Sequence, residues 1–294
     1  MTGHLVTGAL SGADAGLLTG LCWVPVETLD ALTFGTPAIG PAGSLATIAH
    51  ALEVDFAFVS AGEEWAPDAV SELREFGVAS IWAVSGVLGR VAERIGWTEA
   101  LRMTAAAPGE LAVLLGEALH DAMEEARTGR SVHADALLVA DDLAGAAGPL
   151  VSPDFALDAL LPCYRALAHE AAENNVPAIF HSDGDVRALL PALARAGFSA
   201  VHLAGLERES FEASFAVARS AGLVVLGGVH SAELLSGAAL LGVGAGSLAL
   251  AGGMLVCDDG GITMPEQIAA YASALDAARE AYAAGCTNGV DDRL

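Results

Sequence analysis

The residues best equipped for chemistry are the run His181-Ser182-Asp183 and a set of carboxylates and imidazoles that each follow a short apolar segment. Glu63, Glu64 and Trp65 follow residues 56–60; Asp141 and Asp142 follow 136–140; Glu207 follows 200–203. His230 follows 223–226, and Asp258 and Asp259 follow 254–257. An imidazole and a carboxylate two residues apart at a strand end point to the same side. Such a pair can hold a divalent cation, zinc included, and leave a position open for substrate. It can equally move a proton, with His181 as acid or base and Asp183 orienting it. Glu207, or an Asp from a neighbouring loop, is the expected third ligand for a metal on His181 and Asp183. Adjacent carboxylates such as Asp141 and Asp142 raise each other's proton affinity unless a cation compensates, which suits either chemistry. Asp141, Asp142, His181 and Asp183 are therefore the catalytic candidates, and Glu63, Trp65, Trp82, His230 and Asp259 the substrate-binding ones. Helix capping is the structural alternative for acids in such loops, and it best explains Asp154, Asp185 and Glu233.

These residues matter together only if the apolar segments form one sheet. Strands are expected over 56–60, 80–84, 136–140, 178–180, 200–203, 223–226 and 254–257. Amphipathic helices are expected over 67–76, 109–127, 155–174, 186–196, 209–221 and 265–283. Alternating strands and helices force parallel strands with right-handed crossovers, and near-continuous apolar strands are buried on both faces. Seven strands are visible, with an eighth in the N-terminal part or in the Gly-rich stretch. The simplest completion is a single (β/α)8 barrel domain, with an open doubly wound sheet as the competitor. In such barrels the site lies at the C-terminal ends of the strands. Residues 1–50 read as an irregular segment packed on the barrel, with one helix near 26–32. Ser152-Pro153 marks a helix start, and Thr263 with Glu266 fits a capping box.

Composition narrows the partners. The 294 residues carry 13 basic and 37 acidic side chains, net −24, and no Lys. No basic face is available to neutralise phosphates, which argues against nucleic acid and anionic membrane as partners. The four cysteines are far apart and form no Cys-x-x-Cys pair, so reduced thiols in a cytoplasmic protein are expected. Residues 234–257 carry no charge but contain six glycines and are flanked by Glu233 and Asp258. They are expected to form a buried helix or loop and then a buried strand rather than a membrane span. A small-molecule substrate and a homodimer complete the expectation.

The chain resembles the uroporphyrinogen decarboxylase superfamily, which includes corrinoid-linked methyltransferases. The resemblance rests on Leu137-Leu-Val-Ala-Asp-Asp-Leu-Ala-Gly145, Gly148-Pro-Leu-Val-Ser-Pro-Asp-Phe155, Leu161-Pro-Cys-Tyr164 and Val176-Pro-Ala-Ile-Phe-His-Ser-Asp-Gly184. It continues in Leu226-Gly-Gly-Val-His230 and Gly252-Gly-Met-Leu-Val-Cys-Asp-Asp-Gly-Gly-Ile262, so that it covers roughly residues 136–283. The family's decarboxylases grip a polycarboxylate tetrapyrrole with N-terminal arginines. Here the first Arg is Arg74, which argues against a porphyrinogen. The zinc-dependent methyltransferases carry His-x-Cys and a later Cys. Here the former reads His181-x-Asp183, and the latter position reads Asp259-Gly260, with Cys257 nearby. The resemblance thus implies methyl transfer between a small molecule and a corrinoid carried by a partner protein. It implies a Zn²⁺ site with harder ligands than the family's. The alternatives are a metal-free decarboxylase or lyase with Asp141 as proton donor, and a non-catalytic ligand-binding barrel.

Overall fold

The computed structural model describes residues 2–32, 39–145 and 148–291. The strands are β1 (Gly20–Leu21), β2 (Phe56–Ser60), β3 (Ala79–Ser85), β4 (Ala136–Ala140), β5 (Ala144–Gly145), β6 (Gly148–Pro149), β7 (Ala178–Asp183), β8 (Ala200–Ala204), β9 (Val224–Val229) and β10 (Met254–Asp258). Eight form one sheet in the order β1-β2-β3-β4-β7-β8-β9-β10, while β5 and β6 make a small antiparallel hairpin after β4. Thr19, just before β1, bridges in parallel to Val256 of β10, so that the first strand meets the last. The fold is the (β/α)8 barrel. β2, β4, β8 and β10 are apolar and buried along almost their whole length, as strands covered on both faces must be.

The helices are α1 (Thr2–Leu10), α2 (Val26–Leu32), α3 (Gly40–Ala51), α4 (Ala66–Glu75), α5 (Val87–Ile95), α6 (Trp97–Ala106), α7 (Pro108–Ser131), α8 (Pro153–Phe155), α9 (Leu161–Glu173), α10 (Leu190–Ala196), α11 (Arg208–Ser220), α12 (Leu234–Ala249) and α13 (Pro265–Asp291). The chain divides into two compact units. One comprises Met1–Val59, Glu64–Ser80 and Val224–Leu294; the other comprises Ser60–Glu63 and Ile81–Leu223.

Several expectations need correcting. The N-terminal segment is not irregular: α1, α2 and α3 occupy much of it, and the eighth strand, β1, lies between α1 and α2. β1 is only two residues long, too short to carry an alternation signal. The pair α5 and α6 between β3 and β4 was also not expected; Gly96, at φ +86°, separates them. Ser152 does cap its helix, its hydroxyl accepting the Phe155 N–H at 3.2 Å. At α13 it is Gln267, not Glu266, that reaches back, its side-chain oxygen accepting the Thr263 and Met264 N–H groups at 2.8 and 3.0 Å.

The uncharged stretch does form a helix and a buried strand, but the helix is not buried. Ser231–Ala249 has the length and composition of a bilayer-crossing helix, with mean hydropathy 1.4 and only 28% of that window buried. Leu235, Leu240 and Val243 of α12 stand exposed. Its other face lies against α13, where Gly242 and Gly246 allow backbone-to-backbone contact. A Cβ on Gly242 would sit 1.9 Å from the Ala274 carbonyl oxygen, and one on Gly246 2.3 Å from that of Ala278. Gly242→Ala should therefore lower stability by about 1–3 kcal/mol through overpacking. Gly116→Ala in α7, where a Cβ meets nothing within 4 Å, should raise it by up to about 1 kcal/mol through helix propensity. Denaturant midpoints of the two variants that moved in the same direction would contradict this packing.

Candidate functional site

In the unit of residues 81–223, parallel pairing sets Ser85, Ala140, His181 and His202 side by side on four successive strands. The residues that follow each strand therefore emerge at one level. Asp141 turns inward and is 1% exposed. One carboxylate oxygen accepts the Gly89 N–H at 2.7 Å; the other accepts the Leu88 N–H at 2.9 Å and the Tyr164 hydroxyl at 2.7 Å. Leu88 and Gly89 lie in the first turn of α5, whose own N-cap, Gly86, provides no side chain. Asp141 thus caps a helix from another strand, satisfying donors that the helix cannot satisfy itself. Gly86 must be glycine here, since a Cβ would lie 2.3 Å from the Asp141 side chain. Burial raises the Asp141 carboxyl to about 6, against the lowering effect of the Tyr164, Leu88 and Gly89 hydrogen bonds; the neighbouring Asp142 charge adds least. The expectation that Asp141 orients substrate, or donates a proton to it, is corrected: both of its oxygens are committed to the fold.

Asp142, one residue on, is half-exposed. It converges with His181 and Asp183. His181 Nε2 lies 3.7 Å from Asp142 Oδ1 and 3.8 Å from Asp183 Oδ1, and ligand atoms of the three residues all fall within 4.8 Å of one another. Asp142 Oδ1 also accepts the Asp183 N–H at 2.9 Å. The Ser182 hydroxyl accepts the Leu143 N–H at 3.0 Å and donates to the Asp183 carbonyl at 2.9 Å. Gly184, at φ +79°, passes so close to the Ala144 and Gly145 carbonyls that a Cβ would lie within 2.7 Å of them. His181 is 8% exposed at its side chain, whereas Asp142 and Asp183 are 47% and 58% exposed. A buried imidazole thus faces two carboxylates that open to solvent.

A cation fits this donor set. With metal–ligand distances of roughly 2.0–2.2 Å, tetrahedral ligands stand about 3.4 Å apart; the two carboxylates stand 3.7 and 3.8 Å from His181 Nε2, and ligand atoms of all three residues lie within 4.8 Å of one another. The residue that converges with His181 and Asp183 is Asp142; Glu207, expected there as a third ligand, stands at the N-cap of α11 and makes no side-chain cap there.

In the other unit, His230 follows β9 and Asp259 follows β10. His230 Nδ1 lies 3.4 Å from Asp259 Oδ2. Asp259 Oδ1 accepts the Ser231 N–H at 3.1 Å and the Ser231 hydroxyl in a shorter bond. Burial alone would raise the Asp259 carboxyl, but the His230 and Ser231 hydrogen bonds overcome it and hold it below the usual range. Gln267 supports the turn, donating to the Ser231 carbonyl at 3.0 Å. Asp258 is wholly buried, its oxygens accepting the Cys22 N–H at 2.8 Å and the Gly260 N–H at 2.9 Å. Burial, the adjacent Cys257 thiol and the Asp258 carboxylate push the Cys22 thiol well up.

Of the other candidates, Glu63 lies exposed in the turn after β2, and Trp65 is the half-buried N-cap residue of α4. Trp82 is corrected: it packs on Gly129 of α7 and donates its indole N–H to the Glu125 carbonyl at 3.0 Å, within the core. Two participants were not foreseen. Tyr164 was visible only as part of a motif. His202 lies inside β8, and a lone imidazole in an otherwise apolar strand is a signal, since it must find a polar partner.

The chain matches no protein-family model, and no curated protein resembles it in sequence. Solved structures do. A methyltransferase from Methanosarcina mazei superposes with a TM-score of 0.73 at 17% identity, covering 96% of this chain and 99% of that one. A chitinase from Chromobacterium violaceum gives 0.51 at 11% identity, over 87% and 99%. Tryptophan synthase from M. tuberculosis gives 0.51 at 12% identity, over 94% and 98%. At these identities the likeness is one of fold.

Asp141 provides a test of the framework around the site. Its folded carboxyl titrates at about 6 and its unfolded one near 3.8, so the folded state holds the proton more tightly. The stability this contributes is fully present below about pH 4 and is lost as pH rises through 6. At about 1.4 kcal/mol per unit, the stability of wild type relative to Asp141→Asn should fall by up to about 3 kcal/mol between pH 4 and pH 7. A difference that stayed flat in denaturant titrations across that window would refute the assignment.

Proposed function

We propose that the protein is a methyltransferase of the corrinoid-linked type. It would move a methyl group between a small methylated molecule and a corrinoid carried by a partner protein. The observation that carries this reading is the convergence of Asp142, His181 and Asp183 at the C-terminal ends of β4 and β7. The fold likeness to a methyltransferase supports it, as does the sequence resemblance of residues 136–283. On this reading the three side chains hold a divalent cation, zinc in the first instance. When bound, the cation supplies Lewis acidity to the heteroatom that gives or takes the methyl group.

The chain's own groups set the conditions. Asp142 and Asp183 bring two negative charges to one cation, and their exposure leaves a face on which a small molecule can approach. The Asp183 N–H fixes the direction of the Asp142 carboxylate, and Ser182 locks the turn that carries Leu143. Nothing in this set resembles a thiolate site, so a hard heteroatom, oxygen or nitrogen, suits the substrate better than sulfur.

A second reading has its own observation. His230 paired with the ionised Asp259 is an oriented imidazole suited to proton transfer, and a metal-free lyase would use it. The two readings separate in one set of measurements. Methyl transfer from methoxylated or N-methylated compounds to free cob(I)alamin is followed by visible absorption, alongside metal content. The methyltransferase reading expects about one bound divalent cation. It also expects His181→Ala and Asp183→Ala to lose the metal and at least about 100-fold in rate, with Glu207→Ala unchanged. Transfer that survives complete chelation sinks it. The lyase reading expects turnover indifferent to chelator, and a pH profile whose imidazole limb disappears in His230→Gln. Ligand binding without turnover in either assay would leave a binding protein.

A further inference from the structure

A metal-binding histidine needs more than a nearby carboxylate. Its unprotonated nitrogen must face the cation, and something must hold the proton on the other nitrogen. In this chain the other nitrogen of His181 meets an unusual partner. β7 and β8 pair in parallel with His181 opposite His202. The ring centroids lie 4.9 Å apart with 26° between planes, and Nδ1 of one ring meets Nδ1 of the other at 2.8 Å. His202 is fully buried and His181 nearly so.

Two neutral imidazoles that meet through the same nitrogen can share only one hydrogen between those atoms. If His181 donates it, Nε2 presents a lone pair to Asp142 and Asp183, whose oxygens stand 3.7 and 3.8 Å away, a spacing that suits a cation. A hydrogen on Nε2 would instead occupy the position the cation needs. We propose that His202 is the positioning residue of this site. It accepts the Nδ1–H of His181, carries its own hydrogen on Nε2, and thereby fixes His181 as an Nε2 ligand. The inference rests on reading Asp142, His181 and Asp183 as a cation site.

The choice of partner has a reason in charge. The partner of a metal-bound histidine is commonly a carboxylate. Here Asp142 and Asp183 already match a divalent cation, and the chain carries a net charge of −24. A neutral imidazole fixes the tautomer without adding a third negative charge beside them.

The test compares wild type with His202→Phe, which keeps a ring of similar size but accepts nothing, and with His202→Asn, whose amide oxygen can stand where Nδ1 stood. Circular dichroism establishes that each variant is folded. Long-range ¹H–¹⁵N spectra of the imidazoles read the tautomer of His181, and Zn²⁺ is titrated in competition with a chromophoric chelator. The expected result is an Nδ1–H tautomer in wild type, lost in His202→Phe together with about 10–100-fold in Zn²⁺ affinity, and recovered for the most part in His202→Asn. A wild-type His181 protonated on Nε2, or a folded His202→Phe that binds Zn²⁺ as wild type does, overturns the proposal. Wild-type protein that takes up no Zn²⁺ overturns the cation reading itself, while the spectra still decide whether His202 sets the protonation of His181.

Discussion

The candidate site depends on register. Ser85, Ala140, His181 and His202 occupy one row across four parallel strands, and everything polar at that level is placed by this row. A slip of one residue in β7 would send His181 to the opposite face and Phe180 into its place. The apolar residues around the row resist such a slip. Phe180 is wedged edge-on between Tyr164 and Phe198 at centroid distances of 5.0 and 5.5 Å, on the side of the sheet away from the His181 ring. The same alternation that buries Phe180 therefore aims His181. Packing on one face and chemistry on the other are one constraint seen from two sides.

The barrel was legible because its strands are short, apolar and regularly separated by amphipathic helices, and seven of the eight were placed to within a few residues. What was not legible has a physical cause in each case. β1 carries two residues and is defined by its partners, not by any pattern of its own. Trp82, expected to bind substrate, lies in β3. A strand has two faces, though, and composition does not reveal that Gly129 opens room for an indole on the helix side. Glu207 was the natural third ligand by position after β8. Asp142 is the carboxylate that stands beside His181 and Asp183, because an adjacent pair of residues at a strand end splits between the two sides, which a linear reading of Asp141-Asp142 as one unit misses.

The His202 case differs. Its strand is evident in the sequence, yet a single chain read in order gives no pairing. Only the register of β7 against β8 turns two unremarkable histidines, 21 residues apart, into a hydrogen-bonded pair.

The two Asp-Asp pairs follow one rule. At the end of β4, Asp141 is buried and commits its oxygens to α5 and Tyr164, while Asp142 is half-exposed beside His181. At the end of β10, Asp258 is buried on the Cys22 and Gly260 N–H groups, while Asp259 turns to His230. Mutual repulsion between neighbours, the effect that makes such pairs look catalytic in a sequence, is the smallest influence on Asp141; burial is the largest. The first carboxylate of each pair pays a desolvation cost to anchor the turn, and that anchoring is what holds the second at a fixed place and angle. Each turn needs both residues, and only one of them faces the imidazole.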